Sequence, residues 1–324
     1  MKKVWLIVAA ALVVAGCLLV GGVLVAVMAP LNWDFTRLSE FETNRHEISE
    51  DFQNISIQTD TADIVFVPSD GDTTEIISHE QKKLYHSVEV KDGTLVIELI
   101  DTRKWYEMIG ISFGSSKLTV SLPRGEYDTL TVRENTGDIK IPADFTFRSM
   151  EITTSTGYVR NRASVSGHLE IETSTGDINV KNVAVRSMKL ATSTGHITAS
   201  NVTCTTYIHI PVSTGDIRLT DVTCSDLNST GRTGHLTMKN LVAQRLISVR
   251  RSTGDIKFDG CDAAEIRVET DTGNVTGTLL SDKVFRIKTD TGRVEFPDSA
   301  VGGICWITTD TGDILMDVVP LNPQ

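Results

Sequence analysis

The sequence predicts an all-β fold, a single-stranded parallel β-solenoid (β-helix) of about ten rungs, and three observations lead to it. A Thr-Gly pair recurs ten times at intervals of 19 or 20 residues, and a fixed period of this length is typical of solenoids. Apolar and polar residues alternate on both sides of each pair, which indicates strands that flank a turn. The repeat is also rich in Thr, Val and Ile, which favour strands over helices.

The glycines of these pairs are predicted to form the corners of the rungs. A backbone in the left-handed region favours glycine because glycine has no β-carbon. We interpret the preceding threonines as corner residues too, rather than as ligands, since a residue present in every rung is needed by the rung itself. The ten structural corner residues are Gly137, Gly157, Gly176, Gly195, Gly215, Gly234, Gly254, Gly273, Gly292 and Gly312.

The residue after each glycine alternates between acidic and non-acidic through the first eight repeats. Equivalent residues of adjacent rungs stack about 4.8 Å apart, where two carboxylates repel by about 1 kcal/mol even in water. Alternation removes this repulsion. His196 and His235 occupy this column two repeats apart, roughly 10 Å, which is too far for a shared zinc ion. We expect both histidines to be exposed.

Three aspartates occupy one position of the last three repeats, two residues before the glycine: Asp271, Asp290 and Asp310. Carboxylates at ladder spacing make them weak candidates for a calcium site. A solvated acidic edge, compensated by nearby basic residues, is the interpretation that we favour. No other metal-ligand spacing is present, and the sequence indicates no cofactor.

Ahead of the repeats, an uncharged apolar run extends from Val4 to Ala29, long enough to span a bilayer core of about 30 Å. Lys2 and Lys3 precede it and acidic residues follow, which predicts a cytoplasmic N terminus and an extracytoplasmic C-terminal domain. A single-pass transmembrane helix in the cell membrane is therefore expected. The alternative is a lipoprotein acylated at Cys17, although the apolar run continues for twelve residues beyond it.

The remaining boundaries follow from where the period begins and ends. Strand-like alternation without the period indicates a cap, and a corner-like Asp60-Thr61-Ala62-Asp63 stretch indicates that this cap also opens the solenoid. The predicted domains are a transmembrane anchor at 1–30, a juxtamembrane spacer at 31–50, a β cap with the first irregular rungs at 51–123, the solenoid repeats at 124–318 and a C-terminal tail at 319–324.

Composition narrows the partners and the chemistry. A formal charge of −11 argues against nucleic acid or an anionic wall polymer as a partner held by electrostatics alone. Catalytic β-helices need clustered carboxylates or basic residues beside aromatic side chains that stack on sugars, and Tyr207 and Trp306 form no stripe in the repeat pattern. Cys204 and Cys224 occupy equivalent positions of adjacent repeats, and we favour two reduced thiols over a disulfide, which ladder geometry would strain.

A β cap followed by tandem Ser-Thr-Gly-Asp-Ile repeats behind a membrane anchor resembles the bacterial envelope family labelled putative adhesin, a domain of unknown function found in Gram-positive surface proteins. The resemblance covers roughly residues 50 to 317. It implies a β-solenoid exposed outside the cell, in some members with a genetic association with envelope-stress signalling. It supplies no catalytic residues.

Three functions remain open at this point. The first is a non-enzymatic, membrane-anchored surface protein whose solenoid face binds an envelope protein or a glycan. The second is a scaffold that self-associates end to end, as a resemblance to polymer-forming bactofilins suggests, through a final rung that carries Ile314 and Met316 and is left open. A polysaccharide-active enzyme is the third and least favoured.

Overall fold

A computed structural model describes residues 41–105 and 116–319, and its regular structure consists of 24 strands. The strands form a parallel β-solenoid, which confirms this part of the predicted fold class. They belong to one compact unit of residues 42–102 and 115–324, whereas a second unit of residues 1–41 and 103–114 lies almost entirely outside the described residues.

The predicted fold class needs one correction, because it joined a transmembrane helix to the solenoid. The described residues contain strands and no helix, and none of their elements is a helix long and apolar enough to cross a membrane. The described part of the chain is therefore all-β, and the predicted combination of a helix with the solenoid is wrong for these residues. The anchor that we predicted at 1–30 lies outside the described residues.

Rungs 1 to 10 are numbered here by their corner glycines, from Gly137 to Gly312. Parallel pairing joins the same positions of neighbouring rungs, as in Ile197↔Ile217 and Ile208↔Leu227. The strands of rungs 1 to 8 are β8 (Gly125–Thr136), β9 (Ile139–Ile141), β10 (Phe145–Thr156), β11 (Val159–Asn161), β12 (Ser164–Thr175), β13 (Ile178–Thr194), β14 (Ile197–Cys204), β15 (Tyr207–Thr214), β16 (Ile217–Thr233), β17 (Leu236–Thr253), β18 (Ile256–Cys261), β19 (Glu265–Thr272) and β20 (Val275–Leu279).

The Thr-Gly corners stack through their backbones. In rung 5 the Gly215 N–H donates to the Thr233 carbonyl of the next rung at 2.9 Å. Gly215 has a φ of 144°, and a β-carbon built on it would lie 1.9 Å from the Gly195 carbonyl oxygen. The corner therefore excludes any side chain for two reasons, the left-handed backbone and the close approach of the neighbouring rung.

A second corner, which the sequence analysis did not identify, adopts the αL conformation. Its side chains also form a ladder, because Asn201 Nδ2 donates to Asn182 Oδ1 at 3.0 Å and Asn240 Nδ2 donates to Asp221 Oδ1 at 2.8 Å. Asn and Asp tolerate αL better than other residues with a β-carbon. The corner residues with positive φ are Asn182, Asn201, Asp221, Asn240 and Gly260.

The apolar columns of the repeat line a continuous core. The column two residues after the corner glycine is fully buried in rungs 1 to 8 and again at Ile314 of rung 10. Only rung 9 departs, because Val294 is 38% exposed and Phe285 and Ile287 are half-buried. Rung 9, and not rung 10, therefore forms the end of the stack.

At the N-terminal end, the first rung in the chain is not the outermost rung of the stack but the second one. The strands are β1 (Phe41–Ile48), β2 (Asn54–Gln58), β3 (Ala62–Pro68), β4 (Thr74–Gln81), β5 (Leu84–Lys91), β6 (Thr94–Asp101) and β7 (Ser116–Leu122). β2 pairs with β6 and β8, and β3 with β7 and β9. Antiparallel β4 and β5 then cover the outer edges of β7 and β6, and β1 pairs with β4.

At the C-terminal end, rung 10 is inserted between rungs 8 and 9. Its strands β23 (Gly303–Thr311) and β24 (Ile314–Val318) follow β21 (Lys283–Thr291) and β22 (Val294–Glu295) in the chain. However, β23 pairs with both β19 and β21, and β24 with both β20 and β22. The prediction that the final rung is open is therefore wrong: Ile314 is 0% and Met316 5% exposed.

Two glycines and a buried ion pair hold rung 10 in place. A β-carbon on Gly302 would lie 1.8 Å from the Asp282 carbonyl oxygen, and one on Gly303 2.0 Å from that of Ala264. The Lys283 side chain, opposite Gly303 and 2% exposed, reaches across rung 10 to Asp262 Oδ1 at 2.6 Å. This ion pair joins rung 9 to the segment that precedes β19 in rung 8.

Candidate binding surface

The insertion of rung 10 places Trp306 between two arginines on the outer face of the sheet. The register sets Arg267 of β19 opposite Trp306 of β23, and Trp306 opposite Arg286 of β21. Neighbouring strands are about 4.8 Å apart, so the three side chains form one row across the strands. We call Arg267, Trp306, Arg286 and the neighbouring Ile304 the Trp306 patch.

The Trp306 patch is open to solvent. Trp306 is 52% and Ile304 41% exposed, whereas a large apolar side chain of a solenoid rung is normally in the core. Arg267 Nε donates to Glu265 Oε1 at 2.5 Å, and the Arg267 side chain is 63% exposed. The patch thus combines a flat aromatic surface with cationic donors on both sides.

The three candidate aspartates form a row on the same face, but in a different order from that expected. The register places Asp310 between Asp271 and Asp290. All three are exposed, and Lys288 Nζ lies 3.3 Å from Asp290 Oδ1. No group of three or more His, Cys, Asp or Glu side chains within the described parts of the chain could hold a metal ion.

The charged side chains elsewhere on the outer face pair across neighbouring strands. Lys189 Nζ lies 2.8 Å from Glu170 and 2.5 Å from Glu172, and the hydrogen bond from Lys189 lowers the pKa of Glu170. Stacking in chain order would set Glu269 beside Lys288, but Thr308 of rung 10 stands between them. Glu269 instead pairs with Arg250 at 2.8 Å.

The column after the corner glycine has a role beyond avoiding repulsion. Asp216 Oδ1 accepts a hydrogen bond from the His235 backbone N–H at 2.8 Å, and His235 Nδ1 accepts one from the Asp255 N–H at 3.1 Å. His196 Nδ1 accepts from the Asp216 N–H in the same way. Because a backbone N–H only donates, Nδ1 of both exposed histidines is unprotonated in this arrangement.

The two cysteines in adjacent rungs are free thiols, and both are buried. Cys204 Sγ lies 3.3 Å from the carbonyl oxygens of Arg186 and Tyr207. Burial raises the pKa of Cys224 to about 12. A thiolate is the reactive form of cysteine, so this environment disfavours reactivity.

An open groove of about 530 Å³ crosses the outer face of the middle rungs. Its lining includes the serine column at Ser174, Ser193 and Ser213, with Glu172 and Arg232 as its charged side chains. It has hydroxyl groups for hydrogen bonding but no aromatic side chain. The groove therefore resembles a recognition site less than the Trp306 patch does.

A buried polar network lies under the N-terminal cap. His86 Nδ1 is 2.5 Å from Glu80 Oε2, and His86 Nε2 is 2.8 Å from Thr59 Oγ1. Asn44 and Ser78 donate to the other Glu80 oxygen at 2.8 and 2.7 Å. Carboxylate, imidazole and hydroxyl follow one another as in a catalytic triad. However, Thr59 is only 7% and His86 2% exposed, which leaves no access for a substrate. We therefore interpret the network as stabilising the cap.

Ser229, the one polar residue in an apolar column, is explained by a buried arginine. Arg251 is 1% exposed, and its Nη2 donates to Ser229 Oγ at 3.2 Å. A β-carbon on Gly231 would lie 2.2 Å from Arg251 Nη1, so this glycine makes the necessary space. Burial lowers the pKa of Arg251 to about 10.

Sequence reasoning missed the Trp306 patch because it stacked the rungs in chain order. That order sets Arg286 beside Arg267 and leaves Trp306 at the end. The signal that distinguishes the true order is Gly302-Gly303, since two successive glycines before a strand indicate a close approach on both sides.

The fold and this surface define a class of protein, a β-solenoid with interleaved ends and an exposed row of one tryptophan between two arginines. The sequence profile of the Toastrack DUF4097 family matches residues 52–246. The chain belongs to this family, whose domain has no known function. The prediction of a domain-of-unknown-function family with a solenoid arrangement is therefore confirmed.

Solved structures of similar arrangement are described as adhesins or a lipid-binding protein. A putative adhesin from Parabacteroides distasonis has 13% identity and a TM-score of 0.49, over 87% of this chain and 98% of that one. One from Bacteroides fragilis has 12% identity and a TM-score of 0.43, over 86% and 97%. A putative lipid binding protein from Parabacteroides distasonis has 13% identity and a TM-score of 0.43, over 86% and 97%. No curated protein matches the sequence.

Proposed function

We propose that the chain is a non-enzymatic surface protein that binds an acidic glycan at the Trp306 patch. The observation that carries this proposal is the Arg267–Trp306–Arg286 row. An indole presents an apolar face on which a sugar ring can stack, and a guanidinium matches the geometry of a carboxylate. A sugar that carries a carboxylate can use both groups at once.

The distribution of charge indicates that an acidic ligand would be attracted by the arginines of the patch and not by the net charge of the chain. The whole chain has a net charge of −11, which disfavours a long polyanion held by electrostatics alone. The two arginines flank the exposed aromatic ring, and Glu265 offsets part of the charge of Arg267, so Arg286 is the unshared cation of the patch within the described part of the chain. The aspartate row lies four residues farther along the strands, about 13 Å away. A short acidic saccharide therefore fits the patch better than an extended one.

We also propose that the domain works outside the cytoplasm, at the cell membrane. The support is the apolar run after Lys2 and Lys3 and the acidic residues that follow it. Protease treatment of intact cells tests this location: the solenoid is expected to be digested from outside. Protection until the cells are lysed would contradict an extracytoplasmic location.

Calorimetric titration of the full-length chain tests the binding. We expect oligogalacturonate to bind and the matching neutral galactose oligomer to bind at least tenfold more weakly. Trp306→Ala and Arg286→Ala should each reduce the affinity about tenfold or more. Tyr207→Ala, which removes another exposed aromatic residue, is the matched control. Equal affinity of Trp306→Ala and the unchanged chain would rule out this site.

A further inference from the structure

The outer edge of rung 9 is the open end of the solenoid. β21 pairs with β23 on one side, and no strand of residues 41–105 or 116–319 pairs with its other side. An unpaired edge presents backbone N–H and C=O groups to any strand that can align with it. Pairing through an edge is also how sheets recognise extended partners.

The core is exposed at the same end. Val294 is 38% and Phe296 43% exposed, and Phe285 contacts the Phe296 ring with centroids 5.5 Å apart. Repeat proteins need a polar cap at each end of the stack, and rung 9 has apolar side chains where a cap is expected. A partner that covers this end must supply both a strand and an apolar surface.

From the charge pattern of β21, we infer that the partner is a second copy of this chain, paired through antiparallel β21 strands about a two-fold axis. Lys288 and Asp290 lie on the outer face, with side chains 70% and 61% exposed. An antiparallel register centred on Thr289 sets Lys288 of each copy opposite Asp290 of the other. Opposite charges across strands are stabilising, and like charges directly opposite are destabilising.

Other registers that keep the two faces in phase are less favourable. A centre at Lys288 sets two lysines directly opposite each other, although it also opposes Arg286 to Asp290, and a centre at Ile287 opposes Arg286 to Lys288. A shift by a single residue would place outer side chains opposite inner ones. Among these registers, the one centred on Thr289 therefore combines attractive pairs with no like-charge pair, which gives the self-complementarity that an isologous two-fold interface requires.

The pairing produces a dimer that closes, because a two-fold axis uses the β21 edge of both copies at once. At the other end of each solenoid, antiparallel β5 and β4 cover the outer edges of β6 and β7. The two copies form one continuous outer face, on which the β23 strands are three strand spacings apart, about 14 Å. Arg286 lies opposite Gly292 in this register and remains available to the Trp306 patch.

Sedimentation velocity of the full-length chain in detergent, over a wide concentration range, tests the pairing. We expect a monomer–dimer equilibrium that does not grow further. Lys288→Asp and Asp290→Lys should each weaken the dimer about tenfold or more, because each replaces two attractive pairs by two repulsive ones. An equimolar mixture of the two variants should recover dimers, since both pairs are then attractive again.

Lys257→Asp, on the exposed outer face of inner strand β18, is the matched control and should leave the dimer unchanged. A chain that stays monomeric at the highest concentration, or one that grows into open rods, would overturn the inference. So would a dimer that both variants leave intact, because it would have to form through another segment. Glycan titrations of the monomeric variants show whether the Trp306 patch binds its ligand without the dimer, so that each of the two proposals can fail independently of the other.

Discussion

The two ends of the solenoid solve the same problem in different ways. At each end, the rung that is terminal in the chain lies inside the stack, between two other rungs. At the N-terminal end, β2–β3 lies between β6–β7 and β8–β9. At the C-terminal end, β23–β24 lies between β21–β22 and β19–β20. The N-terminal end adds antiparallel strands and a buried polar network, whereas the C-terminal end stops at an uncovered rung. Enclosure protects the chain termini, but only a cap protects the core.

The largest effect is expected from breaking the N-terminal network. Glu80→Ala should lower the free energy of unfolding by about 4 kcal/mol, because removing one partner of a buried pair leaves His86, Asn44 and Ser78 without their acceptor. Urea denaturation of the full-length chain measures it. Glu50→Ala, an exposed carboxylate close to the same end, should cost less than about 0.5 kcal/mol. Equal costs would show that the network does not hold the cap.

The pH dependence of the N-terminal end is expected to centre on Glu134. Burial raises its pKa to about 8, and its Oε1 accepts a hydrogen bond from the Ala62 N–H at 3.2 Å. The unfolded carboxyl loses its proton near pH 4.5, whereas the folded one keeps it to about pH 8, so stability falls as pH rises through this window.

Glu134→Gln removes the ionisable group and keeps the shape. The unchanged chain should lose on the order of 3 kcal/mol between pH 5 and pH 9, and the variant should lose much less. Glu126→Gln, an exposed residue of the same strand, should behave like the unchanged chain. Parallel pH profiles for the chain and Glu134→Gln would argue against a protonated buried carboxyl.

A third prediction concerns the ion pair that holds rung 9 across rung 10. Lys283→Met should cost about 2 kcal/mol, since Asp262 loses its buried partner but is itself partly exposed. Hydrogen exchange should accelerate in β21–β24 and remain unchanged in β10–β16, because a solenoid opens from its ends. Uniform acceleration of exchange, or no acceleration, would contradict the proposal that the Lys283–Asp262 ion pair holds rung 9 in place. Lys257→Met is the matched control.

The smallest difference in the free energy of unfolding is expected between alanine substitutions of the corner glycines at the two ends. A β-carbon on Gly137 would lie 2.2 Å from the Ala62 carbonyl oxygen, and one on Gly292 2.0 Å from that of Gly312. Gly137→Ala should cost about 3 kcal/mol, because the capped rung cannot move away. Gly292→Ala should cost about 1 kcal/mol, since the outermost rung can shift. Thermal denaturation compares them, and the reverse order would show that rung 9 is not the mobile end.

Most of the regular fold could be predicted from the sequence because its information is local and repeated. The Thr-Gly corners, the apolar columns and the Lys189 pairing each depend on residues one period apart, and parallel stacking brings those residues together. The αL corner was equally periodic, at Asn182, Asn201 and Asp221, and could have been found in the same way.

The order of the last rungs could not be predicted, because rungs 9 and 10 have the same pattern and either fits beside rung 8. The choice depends on how Gly302-Gly303 and Lys283 pack, which is tertiary information. The Trp306 patch follows from that order and was missed with it. Ser229 interrupts an apolar column of the repeat, but its partner Arg251 lies 22 residues away, which is more than one period of the repeat.

Disulfide trapping tests the rung order most directly. The full-length chain carrying Glu269→Cys with Thr308→Cys should form an intramolecular disulfide on mild oxidation, because these positions are directly paired at a Cα spacing within disulfide range. The strain that ladder geometry imposes makes such a bond easier to reduce but does not prevent it. Glu269→Cys with Lys288→Cys should not, since a rung stands between them. Mass spectrometry of the oxidised proteins reads both results. A disulfide in the second variant and none in the first would establish chain-order stacking and contradict the inserted rung.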